Sequence, residues 1–357
     1  MQQRPGRRLQ WGPCAGATTG ARCRELLWNW KPLPGLEEWG LAARAAAHVR
    51  PDGGVTLAFG QLSEDGPWRV VAEADGEVDV AVRERPGGCV LGLPSLGEGR
   101  FAWRIYPRTA RGGVDETAGA FLVGDIDSDA AGEGERFVGS GREGFATSAG
   151  WLEVDPRDWV LRRFDWTGGA PDTLADDGAA VSQPVAVRST VFWQRNVGLR
   201  TIGLRVWTKD VGARDFLSFG DDWQRAAADL GTDGVDTVWV EASGRTSPDA
   251  PFRSAVLRHA PFGAPPSAST TLAEVSPLGL GTSRPVVGCG RVARLEAAGE
   301  ALLLVDLRTH TRTTLTLPGG RFLSALAVTC SEVFALTSVG TNGGSSVPHL
   351  VRLESSP

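Results

Sequence analysis

Short runs of alternating apolar and polar residues fill most of the chain. Clusters rich in Gly, Pro and Asp separate them, and such alternation marks half-buried β-strands. The pattern is clearest between residues 284 and 354, where one four-strand paragraph is written twice. Residues 285–289 (PVVGC), 291–296 (RVARLE), 301–307 (ALLLVDL) and 311–317 (TRTTLTL) make the first copy, closed by Pro-Gly-Gly. Residues 324–330, 332–337 and 349–354 repeat its first three runs. The fourth is then expected from the other end of the chain, from a strand within residues 9–30.

The same paragraph is legible upstream. Residues 184–193 (PVAVRSTVFW) lie without a gap on residues 285–294 (PVVGCGRVAR), an offset of 101, and residues 236–243 lie on 331–338, an offset of 95. Two adjacent units matching two adjacent units give about 48 residues per unit, the size of a propeller blade. A four-stranded sheet that is apolar on both faces is covered only by stacking on the next, so the units must close into a ring. The expected fold is therefore all-β: a single β-propeller domain of seven four-stranded blades, six being the other count, closed by the N-terminal strand. The expected blades run over about 42–75, 77–124, 135–176, 183–219, 226–276, 284–318 and 322–355. Residues 36–49 have alanine-rich helical propensity, but the Pro-Asp-Gly-Gly turn behind them favours a strand. Trp193, Trp239 and Phe334 occupy matching second-strand positions and are expected to wedge between blades. The competing architecture is a pair of β-sandwich domains split near Ala179, which would not generate the paired offsets.

Composition narrows function by exclusion. The 357 residues carry a formal charge of −5 with a pI near 5.5, against a nucleic-acid-binding surface, which concentrates Lys and Arg to neutralise phosphates. No run approaches the 18 or more apolar residues of a membrane span. The first forty residues lack the apolar segment of a signal peptide, so the chain is expected to be cytoplasmic unless a leader has been removed. The cysteines favour removal: Cys14 and Cys23 flank a flexible loop and are expected to form a disulfide worth about 2.5 kcal/mol. Cys289 and Cys330 occupy the same site in consecutive blades and are expected to be two buried thiols, a bridge being geometrically conceivable.

Motifs for chemistry fail on inspection. Residues 139–144 (GSGREG) match a dinucleotide-binding pattern by letter, but a strand-like segment follows where a helix is needed. Asp125, Asp127 and Asp129, with Glu133 and Glu135 behind them, open like a calcium loop. Ala130 and Arg136 then stand where the loop needs Gly and a bidentate Glu, so a solvated acidic loop is expected. His48, His259, His310 and His349 have no ligand-spaced partner, His310 being expected on a strand. Asp176 and Asp177, and Asp221 and Asp222, read as solvated turns. No catalytic residue, cofactor or metal site is expected.

Residues 230–239 (LGTDGVDTVW) and 326–334 (LAVTCSEVF) resemble the inner strand, turn and second strand of blades in uncharacterised bacterial extracytoplasmic β-propellers. The resemblance implies a fold and an envelope (periplasmic, secreted or cell-surface) location, and carries no catalytic residue across. The expected function is that of a monomeric, non-enzymatic binding or scaffold protein, meeting a protein or glycan ligand through loops at one face of the channel. The alternative is a propeller hydrolase or lyase acting on a glycan or peptide through loop carboxylates and arginines. Fold does not choose between them.

Overall fold

The structure, a computed structural model, describes residues 159–340 with short gaps and, outside that span, chiefly the strands. Strands β1 (Gly12–Pro13) and β2 (Arg22–Glu25) come first. Strands β3 (Arg44–Val49), β4 (Val55–Gly60), β5 (Trp68–Ala74) and β6 (Glu77–Arg83) form one sheet; β7 (Cys89–Gly97), β8 (Arg100–Pro107), β9 (Ala120–Asp125) and β10 (Arg136–Val138) the next. Strands β11 (Glu143–Thr147), β12 (Gly150–Asp155), β13 (Val160–Phe164) and β14 (Asp172–Ala175) follow. After them come β15 (Ala180–Val187), β16 (Thr190–Val197), β17 (Thr201–Thr208) and β18 (Gly212–Leu217). Another sheet holds β19 (Arg225–Thr232), β20 (Asp236–Ser243), β21 (Ser254–Pro261) and β22 (Thr270–Val275). The next holds β23 (Val286–Gly288), β24 (Arg291–Glu296), β25 (Ala301–Asp306) and β26 (Arg312–Thr316). The last, in order β27 (Gly320–Val328), β28 (Glu332–Gly340), β29 (Ser346–Glu354), β2, β1, has five strands rather than the expected four.

Each sheet is an antiparallel meander, and the first strand of each touches the first strand of the next, from β3 through β7, β11, β15, β19 and β23 to β27, which returns to β3. This is a β-propeller arrangement. The described residues contain no α-helix, only 3-10 turns at Pro266–Ala268 and Ala297–Gly299. A strand from the N-terminal region does complete the last sheet: β2 runs antiparallel to β29, with Arg22 opposite Glu354 and Glu25 opposite Val351. A β-sandwich pair split near Ala179 is not what forms, because β11 and β15 on either side of that residue are neighbouring inner strands.

Two expected boundaries are corrected. Residues 77–83 pair with β5 instead of opening the second blade: Glu77 is opposite Ala74, and the Asp-Gly sequence between them is one that favours a tight hairpin connection. Residues 136–138, expected in the third blade, take the vacated outer place as β10. Within the next sheet β11 and β12 are paired as a hairpin through Thr147 and Gly150.

The packing explains the ring. Trp193 is buried among Leu152, Val154 and Leu161 of the preceding sheet, and Trp239 among Phe192, Leu204 and Val206 of its own preceding sheet. Trp239 also meets Phe216 edge-on at 5.3 Å. Phe334 is likewise buried. Sheets lie close where glycine leaves room: a Cβ on Gly231 would overlap the Pro285 carbonyl, and one on Gly288 the Val328 carbonyl. Backbone cannot step aside as a side chain can, so Gly231→Ala is expected to lower stability by about 1–3 kcal/mol, measured as a shift in urea midpoint at unchanged slope.

Candidate functional site

Inner strands β7, β15 and β19 share one irregularity. Ser182 to Val185 spans three steps against two from Gln194 to Phe192, and Ala228 to Gly231 three steps against two from Val240 to Val238. Leu91 to Pro94 does the same against Ile105 to Trp103. The extra residue is a β-bulge, whose first position takes left-handed backbone and usually holds glycine. Gln183 and Asp229 hold it instead, with φ of 50° and 52°, a conformation that costs about 1 kcal/mol or more for a residue with a side chain. Arg284 comes to the corresponding place before β23, because the offset that lays Pro184 on Pro285 also lays Gln183 on Arg284. Three consecutive sheets thus present Gln183, Asp229 and Arg284 beside the axis.

Two hydrogen bonds between residues far apart in sequence lie there. Gln183 Nε2 donates to the Gly281 carbonyl, and Arg284 Nη1 donates to the Pro184 carbonyl at 3.3 Å. Both link β15 to the connection between β22 and β23, passing the intervening β19. The Arg284 side chain is exposed to solvent, yet the protein around it depresses its pKa, with the Asp229 charge opposing.

Behind this row lies a buried ion pair. Arg294, fully buried on β24, stands where the other sheets carry Trp193, Trp239 and Phe334, and its Nη2 is 3.8 Å from Asp229 Oδ2. Arg294 Nη1 donates to Glu296 Oε1 and, at 2.9 Å, to the Leu295 carbonyl. Glu296 Oε2 accepts the Ser276 N–H at 2.6 Å. Asp229 Oδ2 accepts the Gly281 N–H at 3.1 Å, and the Asp229 N–H donates to Gln194 Oε1 at 3.4 Å. Burial raises the Asp229 pKa. The Gly281 N–H, the Arg294 charge, the Ser283 N–H and the Gln183 amide pull the other way. A carboxyl whose folded pKa is raised stabilises the fold most below its unfolded value, about 3.9, and loses that contribution as pH rises through the folded value. Asp229→Asn is therefore expected to gain on the wild type as pH climbs from 4 toward neutrality, read from urea midpoints across that range.

The remaining candidates separate cleanly. Cys289 and Cys330 form a disulfide with Cα atoms 5.0 Å apart, and both are exposed, which corrects the expectation of two buried thiols. Each sits in the hairpin turn after the inner strand of its sheet, and neighbouring inner strands hold these turns together. Cys289 and Gly290, at φ 51° and 66°, make the two-residue turn that needs left-handed backbone at both positions. His259 is not partnerless: its Nε2 lies 2.7 Å from Asp236 Oδ1 across the β20–β21 hairpin, 23 residues away in sequence. His310 lies in the turn before β26 rather than on a strand, and its N–H donates to the Asp306 carbonyl. Asp221 and Asp222 are exposed in a turn. The expected Cys14–Cys23 bridge lies outside the described residues, as do Asp127, Asp129, Glu133 and Glu135; Asp125 ends β9. Residues 139–142 also lie outside, and β11 begins with Glu143 and Gly144. Among the described residues no three His, Cys, Asp or Glu converge as metal ligands.

Arg284 and Arg294 went unremarked in the sequence, although the signal was present. The alignment that establishes the repeat places Arg294 on Trp193 and Arg284 on Gln183, two charged residues in the places of a tryptophan and a neutral glutamine.

No protein family matches the chain, and no curated protein sequence does. Solved structures do. A prolyl endopeptidase structure is similar over 89% of this chain and 51% of its own, with 12% identity and a TM-score of 0.56. This chain thus spans about half the length of that protein. YCF48 from Cyanidioschyzon merolae is similar over 89% of this chain and 98% of its own, with 10% identity and a TM-score of 0.50. A putative TolB from Agrobacterium tumefaciens covers 66% and 81%, with 9% identity and a TM-score of 0.43. At these identities the likeness to the first two is one of fold alone, in keeping with the β-propeller arrangement of the sheets.

Proposed function

We propose that the chain is one seven-bladed domain and acts as a monomeric, non-enzymatic binding module, taking a protein or glycan ligand at the channel end where Gln183, Asp229 and Arg284 meet. The observation that carries this reading is the backbone strain at Gln183 and Asp229, kept at two neighbouring bulges whose side chains reach the channel connection. Trp159, Arg188, Cys289, Ala297 and His310 also take left-handed backbone, but at Gln183 and Asp229 it falls on matching bulges of neighbouring inner strands, and strain of this kind clusters where geometry serves something other than stability. The carboxylates there are engaged by Arg294 and by backbone N–H groups, an arrangement suited to holding shape rather than to moving protons. An exposed disulfide belongs to an oxidising compartment, which supports an extracytoplasmic location. No helix among the described residues is long and apolar enough to cross a membrane.

Labelled protein applied to peptide and glycan arrays tests this reading. The expected result is saturable binding that Gln183→Ala weakens at least tenfold, with the captured molecule recovered chemically unchanged by mass spectrometry. Conversion of the captured molecule to products would overturn it in favour of a hydrolase or lyase.

A further inference from the structure

We infer that the channel end is an oxyanion site, in which the Arg284 guanidinium receives a carboxylate or phosphate group carried by the ligand; this rests on the binding reading above and specifies its chemistry. The charges at the site divide unevenly. Arg294 holds both nearby carboxylates, Asp229 at 3.8 Å and Glu296 by a direct hydrogen bond, and it is fully buried. Arg284 is left with one hydrogen bond, to the Pro184 carbonyl. Among the described residues its other N–H groups have no protein acceptor, and no carboxylate lies within ion-pair distance.

A guanidinium offers five donors in a planar fork that matches the two oxygens of a carboxylate or phosphate. It is exposed to solvent, so an incoming anion reaches it, and its bonds to that anion are charge-assisted. The nearest competing charge is engaged elsewhere: Asp229 Oδ2 accepts the Gly281 N–H and faces Arg294. The bond to the Pro184 carbonyl fixes one end of the Arg284 guanidinium before a ligand arrives. The offset repeat puts Gln183 at the matching position, which shows that the bulge column tolerates a neutral residue and that the charge at 284 is not required by the blade itself.

Thermal melting in inorganic phosphate and in acetate, at ionic strength held constant with sodium chloride, tests the assignment. With millimolar affinity, 20 mM of the preferred probe is expected to raise the wild-type midpoint by about 2 °C. Arg284→Gln should abolish the rise, and Arg284→Lys should keep part of it. A response to acetate alone identifies a carboxylate, and a response to phosphate alone a phosphate. An equal rise in Arg284→Gln, or no wild-type rise in either probe at 100 mM, overturns the oxyanion site. If array binding sensitive to Gln183 persists in that case, only the anion assignment falls, whereas loss of array binding removes the binding reading itself.

Discussion

Replacing Arg294 with methionine is expected to lower the unfolding free energy by about 3–5 kcal/mol, the usual cost of removing one partner from a buried ion pair. The side chain is fully buried, and Asp229 across the sheet interface is buried with it. Without the guanidinium, Asp229 keeps the Gly281 N–H but loses its compensating charge, and the Glu296 carboxylate loses its direct partner. Methionine fills much of the volume, so the loss is mainly electrostatic rather than a cavity. A paired substitution separates the two causes. Arg294→Trp combined with Asp229→Ala restores the aromatic wedge found at Trp193 and Trp239 and removes the stranded charge. It is expected to recover more than half of the loss, since apolar replacements of a whole buried pair are often neutral or stabilising. Urea unfolding followed by tryptophan fluorescence measures both; a single substitution costing under about 1 kcal/mol would show that solvent reaches the pair.

Reducing the Cys289–Cys330 disulfide is expected to cost about 4 kcal/mol on the chain-entropy account, because it closes a loop of 41 residues. For a chain of 357 residues that corresponds to about 5 °C in melting midpoint. Both cysteines are exposed, so a soluble dithiol reaches them without prior unfolding. The double variant Cys289→Ser with Cys330→Ser should melt at the lower temperature and show no further change with reductant at these positions. The bond joins turns of two neighbouring sheets, so its loss should also raise amide exchange in β23 and β27 before it does so in β19. An unchanged midpoint would mean that the β23–β27 contact keeps the two sheets together on its own.

Much of the architecture is readable in the order of residues. Alternation with period two places strands, the turn clusters delimit them, and the offsets of 101 and 95 residues reveal repeated units because each blade must solve the same packing problem. That logic also predicts the completion of the last sheet by a strand from the start of the chain, which β2 provides. The departures have local causes: the Asp-Gly sequence at 75–76 is a hairpin signal that joins β6 to β5, which leaves the outer place of the next sheet to β10.

The site is another matter. Sequence determined that the chain is a ring of sheets with aromatic wedges, because burial of two-faced strands depends on residue pattern alone. Tertiary structure decided that Gln183 meets Gly281, that Asp229 meets Arg294, that His259 meets Asp236 and that Cys289 is bonded to Cys330. Those contacts span from 23 to 98 residues of chain, and they depend on which sheets become neighbours and on where a bulge turns a side chain toward the axis. Periodicity records which face of a strand is covered, but not what lies across from it once the ring has closed.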